Sequence, residues 1–275
     1  MFYHKFLKLK HFFLCKVFHS KYIEQLDKHG VEGKQVTQAL IKSLNSENTP
    51  EEKLLFETLD QFREDLYADK RLINFEEIGS NEVMTVAEVA KRAASPEIWT
   101  RFFYQLTKSK NIVKVLEIGT NLGVSGQYFI KALKNKKKSK FITLEGVKGL
   151  CEIADQRLTT ISNDQDFEVI HGLYDQTLIS EINKEIHFNL LFIDGNHRYD
   201  ATLKYFGLLK KNIADRALVI FDDIHWSEGM RKAWQEIITQ RGIVFSVDFF
   251  KLGIIIFDSK QSKPTNDHYQ LFLSL

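Results

Sequence analysis

The spacing of apolar positions changes near residue 113. Before it, apolar residues recur at helical intervals. Leu54, Leu55, Leu59, Phe62 and Leu66 mark a helix over 51–67. Asn45 to Pro50 interrupts the pattern, with Thr49 as a cap and Pro50 at the first helical position. Upstream, 34–44 reads as a short helix and His29-Gly30-Val31-Glu32-Gly33 as a turn. Downstream, 73–82 is irregular. Thr85 then caps a helix running to about Ala93, because Glu88 completes a capping box. Ser95-Pro96 opens another helix, which carries Trp99, Phe102, Phe103 and Leu106. After residue 113 short apolar runs alternate with helical segments. Strands are predicted at 113–118, 141–144, 167–170, 188–193 and 217–221. Helices are predicted at 124–133, 148–158, 178–186, 200–211 and 226–240. Two closing strands, 243–249 and 252–257, flank Phe250-Lys251. Strictly alternating strands and helices imply a parallel sheet covered on both faces.

The expected fold is therefore α/β, a Rossmann-like doubly wound, mostly parallel sheet of seven strands with a terminal antiparallel hairpin. Residues 1–110 form a helical N-terminal extension and 111–275 the α/β domain. The first 21 residues change this picture most. They carry Lys5, Lys8, Lys10, Lys16 and Lys21 and no acid, interleaved with large apolar residues such as Phe2, Phe6, Phe12, Phe13 and Phe18. A secretory signal would need a longer apolar core and a small-residue cleavage site. Two readings stand: a helix packed against the main domain or a partner, which we favour, and a basic helix lying on an anionic membrane. A homo-oligomer contact is a further use for the extension. The lysine run at 134–140 reads as a solvated face. A net charge of +2 does not suggest a dedicated nucleic-acid binder. The two cysteines, Cys15 and Cys151, have neither zinc-ligand spacing nor a disulfide framework. A reducing, cytoplasmic setting follows, or one peripheral to the inner face of the membrane.

The chemistry gathers at the ends of the strands, where open α/β sheets bind ligands. Strand 113–118 runs into Glu117-Ile118-Gly119, and Gly123 follows before the next helix. Glycine there permits positive φ and a close ligand. The spacing is not the dinucleotide G-x-G-x-x-G. Glu145 lies just past the second strand, where an acid can accept hydrogen bonds from ribose hydroxyls. Asp194 ends the fourth strand and Asp222-Asp223 the fifth. Three carboxylates in one cleft repel unless a cation or a proton intervenes. Oxygen donors suit Mg²⁺ or Mn²⁺, and the alternative is helix capping or loop fastening. His197 and His225 are the candidate general bases, His197 preferred. Trp226 could line a substrate wall or belong to the core.

The stretches VLEIGTNLGVS, FIDGNHRYDATLKYF and IFDDIHWSEGMRKAW carry a resemblance. From about Thr85 to Phe257 the chain resembles class I S-adenosylmethionine-dependent methyltransferases. Within them it particularly resembles the metal-dependent O-methyltransferases of the catechol and caffeoyl-coenzyme A type. The closest resemblance is to a group of bacterial methyltransferases, common in Bacteroidetes, with a long helical N-terminal extension. The resemblance implies an enzyme that binds S-adenosylmethionine through Glu117, Gly119, Gly123 and Glu145. It implies a divalent metal on Asp194, Asp222 and Asp223, and a small hydroxylated acceptor. Asp223 stands where those enzymes usually have asparagine, and His197 where the catechol type has a catalytic lysine. The rival readings are a catalytically silent cofactor-binding or membrane-associated scaffold with a methyltransferase-like domain, a relative using the same sheet for metal-assisted hydroxylation or hydrolysis, and an NAD-dependent oxidoreductase, which lacks its glycine fingerprint here.

Overall fold

The computed structural model describes residues 2–162 and 166–274; Met1 of the basic segment and Leu275 of the α/β region lie outside the described residues. The chain opens with α1 (Phe2–Asp27), α2 (Gly30–Asn45) and α3 (Pro50–Ala68). A small hairpin, β1 (Leu72–Asn74) and β2 (Val83–Thr85), leads to α4 (Val86–Ala93) and α5 (Glu97–Thr107). Then follow β3 (Lys114–Ile118), α6 (Gly126–Ala132), β4 (Lys140–Glu145), α7 (Lys148–Ser162), β5 (Asp166–His171) and α8 (Tyr174–Ile182). The second part comprises β6 (Phe188–Ile193), α9 (Tyr199–Leu209), β7 (Ile213–Phe221) and α10 (Glu228–Ile238). The chain closes with β8 (Ile243–Asp248), β9 (Gly253–Asp258) and β10 (His268–Gln270). Two compact units result: Ala39–Glu181, and Met1–Gln38 together with Ile182–Leu275. The fold is the expected Rossmann-like α/β class with a mostly parallel sheet. Among the described residues the sheet has eight strands, β3 to β10, because β10 adds to the seven expected.

In the first unit β3, β4 and β5 run parallel and in register, Ile118 opposite Leu144 and Glu145 opposite His171. Thr49 caps α3 through a full capping box with Glu52, with Pro50 in the first turn. Thr85 and Glu88 do the same for α4. The helical residues from 39 onward share the core of this unit. Val86 and Val89 of α4 are buried in one cluster with Leu122 and Val124 of the loop after β3. Gln127 of α6 donates to the Leu59 carbonyl at 3.0 Å, and Tyr128 to Asp60 at 2.6 Å. Where an irregular stretch was expected, Leu72 pairs with Thr85 and Asn74 with Val83. Strands of three residues are too short to show alternation. Lys136, expected in solvent, donates to the carbonyls of Thr107, Ser109 and Ile112 at 2.5–2.7 Å. It closes the end of α5, a use of lysine that run composition cannot reveal. Burial brings its ammonium down to about 8.

In the second unit β6 pairs parallel with β7, β7 antiparallel with β9, and β9 antiparallel with β8. β10 joins β8 in parallel, His268 opposite Ser246. α1 packs here. His11 Nε2 lies 2.9 Å from the Leu271 carbonyl, and Phe12 meets Phe272 edge-on. The turn expected at 29–33 is shorter, because α2 already starts at Gly30. Gly33 serves packing instead: a Cβ there would sit 1.8 Å from the Leu26 carbonyl oxygen. α8 lies earlier than the expected 178–186, and Glu185 beyond it takes a left-handed φ of 54°.

Candidate functional site

The glycine turn is built in the first unit. β3 is buried from Val115 onward, and the chain leaves it through Gly119 (φ 98°), Asn121 (φ 50°) and Gly123 (φ 77°). A side chain at Gly123 would press on Ala154 of α7 at 3.1 Å, so this turn needs glycine for backbone and packing alike. Two acids hold the turn from below. Glu117 is fully buried and accepts from the hydroxyls of Ser125 and Thr143, the latter at 2.7 Å. Burial pushes its carboxyl up to about 7 against those two hydrogen bonds. Glu145 accepts from the Asn121 amide at 2.8 Å and the Val147 amide at 3.1 Å. Burial raises it too, and the backbone donors oppose the shift. One carboxylate can accept about four hydrogen bonds, and backbone amides already take up most of Glu145's capacity. Past β5, His171 lies 3.3 Å from Glu77, which also accepts from the Lys148 amide at 2.6 Å.

The acid cluster is built in the second unit. β6 and β7 are neighbours, with Ile193 opposite Phe221, and the Asp222 amide donates to the Ile193 carbonyl at 3.0 Å. This brings Asp194 and Asp222 to adjacent strand ends, as expected. Asn196 (φ 51°) and Asp223 (φ 54°) adopt left-handed backbone in the two loops. Such conformations cost about 1–3 kcal/mol each and persist where surrounding contacts impose them. Burial and the Asp222 carboxylate push Asp194 well above the carboxylate range, with Lys251 opposing. Burial raises Asp222 also, again against Lys251. His197 belongs to this cluster: Nε2 lies 3.5 Å from Asp194 Oδ1, and its side chain is 32% exposed. His225 is committed elsewhere. Its Nε2 lies 2.8 Å from Asp248, its ring stacks on Phe250 at 4.7 Å, and its buried Nδ1 has no partner. Trp226 is 70% exposed and belongs to no core.

Lys251 is the residue that sequence reasoning missed. From the turn between β8 and β9 its Nζ reaches both Asp222 oxygens at 2.9 Å and Asp223 Oδ1 at 3.1 Å. The signal was a single basic residue inside the apolar run 243–257. The residues do not fit the expected divalent ion. Two of its three ligands already hold an ammonium, and a second cation there would meet direct repulsion. Among the described residues no group of three His, Cys, Asp or Glu is arranged to hold a metal. A thiol nucleophile is also excluded on physical grounds: burial pushes both Cys15 and Cys151 up to about 12.

Residues 116–224 match a family described as a methyltransferase domain. That span contains Glu117, Gly119, Gly123, Glu145, Asp194, His197, Asp222 and Asp223, and stops before His225 and Lys251. No curated protein matches the chain. Among solved structures, an O-methyltransferase from Bacillus cereus in complex with S-adenosylhomocysteine is 20% identical, with a TM-score of 0.54 over 63% of this chain and 86% of that one. A Podospora anserina methyltransferase bound to S-adenosylhomocysteine is 15% identical, with a TM-score of 0.53 over 74% and 96%. A Geobacter sulfurreducens methyltransferase is 18% identical, with a TM-score of 0.50 over 60% and 82%. Residues 116–224 thus match a methyltransferase-domain family, and the chain has the fold of the class I S-adenosylmethionine-dependent methyltransferases.

Proposed function

We propose that the protein transfers the methyl group of S-adenosylmethionine to the hydroxyl of a small acceptor. The domain match over 116–224 carries this reading, because it spans the glycine turn and the acid cluster together. The cofactor supplies an activated methyl and a good leaving group. The turn Gly119–Gly123 offers its backbone to the cofactor, and Glu145 accepts from the ribose hydroxyls. His197, oriented by Asp194, takes the acceptor proton as the oxygen attacks the methyl carbon, and S-adenosylhomocysteine leaves. The catechol and caffeoyl-coenzyme A enzymes remain the nearest chemical analogy, with residues 111–275 as the catalytic region. The metal step of those enzymes is not carried over, since the donor set opposes it. The test is a screen of hydroxylated metabolites with labelled S-adenosylmethionine. A chain that binds NADH and neither methyltransferase cofactor species would overturn the reading.

We also propose that α1 touches a membrane surface in the cytoplasm. One face of α1 buries His11, Cys15 and Leu26. The opposite face exposes Phe6, Leu9, Phe13 and Val17, spaced to form one stripe and flanked by Lys10, Lys16 and Lys21. An apolar stripe edged with lysines suits an anionic lipid interface.

A further inference from the structure

The Asp194, Asp222 and Asp223 cluster needs positive charge, and the chain supplies it from a rigid support. The turn that carries Lys251 is fixed at four points. Asp248 Oδ1 accepts from the Phe250 amide at 2.7 Å, and Asp248 Oδ2 faces His225 Nε2 at 2.8 Å. The Phe249 amide donates to the Leu252 carbonyl at 2.8 Å, and the Ile224 amide to the Lys251 carbonyl at 3.2 Å. Phe250 is held at φ 68° beneath the stacked His225 ring. The lysine backbone is thus tied to the loop that carries its own acidic partners. Asp222 is 5% exposed, so this is a largely buried pair rather than a surface contact. An ammonium has three donors. Here two are spent on Asp222 and one on Asp223, so none is left for a substrate oxygen.

We propose that Lys251 is a built-in counter-cation that takes the place of a divalent metal, so that the acceptor half of the site works without one. Lys251 is then a positioning residue: it holds Asp222 and Asp223 in place, and Asp222 in turn shares a hydrogen bond with Asp194, which faces His197. A bound metal would recognise two neighbouring acceptor oxygens by chelation. A saturated ammonium cannot, so the acceptor needs to present a single hydroxyl to His197. This last clause rests on the O-methyl-transfer reading; the cation claim does not.

The experiment is Mn²⁺ binding to the full chain near neutral pH, followed by electron paramagnetic resonance and read without any turnover. Wild type is expected to hold no stoichiometric Mn²⁺. Lys251→Ala should gain one site, binding Mn²⁺ roughly tenfold or more tighter than wild type, since a like charge has been removed. Adding Asp222→Asn to that variant should abolish the site. Lys251→Arg keeps the charge and should stay metal-free. The proposal is overturned if wild type binds one Mn²⁺ that Asp222→Asn releases, or if Lys251→Ala gains nothing. Should Lys251→Ala fail to fold, judged by circular dichroism, Lys251→Gln and the wild-type titration decide the matter in the same way.

Discussion

The two units bury their acids by different means. In the glycine-turn unit, Glu117 and Glu145 sit among neutral donors: two hydroxyls for one, backbone amides for the other. In the acid-cluster unit, Asp222 and Asp223 face an ammonium. Burial raises Glu117 to about 7, and its two hydroxyl donors only oppose that rise. A cation instead opposes the rise that burial imposes on Asp222. The first arrangement suits a turn that must lie still under a cofactor. The second places positive charge in the cluster that His197 joins.

The comparison breaks most visibly at Gly119. Valine there would have to adopt φ 98°, a backbone conformation closed to branched side chains. Calorimetry with S-adenosylhomocysteine should show saturable binding to wild type and loss of roughly two orders of magnitude in Gly119→Val, in line with strain of a few kcal/mol. Unchanged affinity would detach the turn from the cofactor. The acid-cluster half is probed next. On an accepted compound, His197→Ala should lower kcat by roughly 10²-fold or more with cofactor affinity intact. His225→Ala should act less on kcat, because its Nε2 is engaged by Asp248. The reverse ranking would make His225 the base.

A smaller effect separates the two kinds of acid by pH. Glu117 is protonated in the folded chain up to about 7, whereas an unfolded glutamate titrates near ~4.3. The folded state therefore binds the extra proton between these values. The stability this supplies is complete below about 4.3 and is lost as pH rises to about 7, with a slope of up to about 1.4 kcal/mol per pH unit. Urea unfolding of wild type and Glu117→Gln at several pH values should show the difference between the two chains narrowing over that window as pH rises. A constant difference would place the Glu117 proton elsewhere. The smallest effect concerns α1. Wild type should sediment with anionic liposomes more than a chain lacking residues 1–21, and high salt should reduce the excess. Equal sedimentation would leave the exposed stripe of Phe6, Leu9, Phe13 and Val17 for another partner.

Much of the fold was legible in the residues. The capping pairs Thr49 with Pro50 and Thr85 with Glu88 appear where local rules put them, because a cap involves neighbours within one turn. The strand Phe188–Ile193 and the hairpin β8–β9 also follow the pattern of apolar runs. β10 was not legible: three residues with one buried side chain give no periodicity, and pairing with Val247 decides them. α1 packs as favoured, but which of its residues face inward was not legible, since it is apolar on a packed face and on an exposed face.

The candidate site divides along the same line. Residue type and strand-end position were enough to select Gly119, Gly123, Glu145, Asp194, His197 and the Asp222–Asp223 pair, because each follows directly from where a short apolar run stops. The sequence by itself also determined that three acids would need a compensating charge. Only the tertiary structure decided what that charge is. Lys251 lies 28 positions beyond Asp223 along the chain and reaches it only because β7, β9 and β8 pair antiparallel and fold the turn back. It likewise separated the histidines, placing His225 against Asp248 and His197 beside Asp194. Local rules act over a few residues, whereas the partner of a buried charge is set by whichever chain segment the sheet brings within hydrogen-bonding distance.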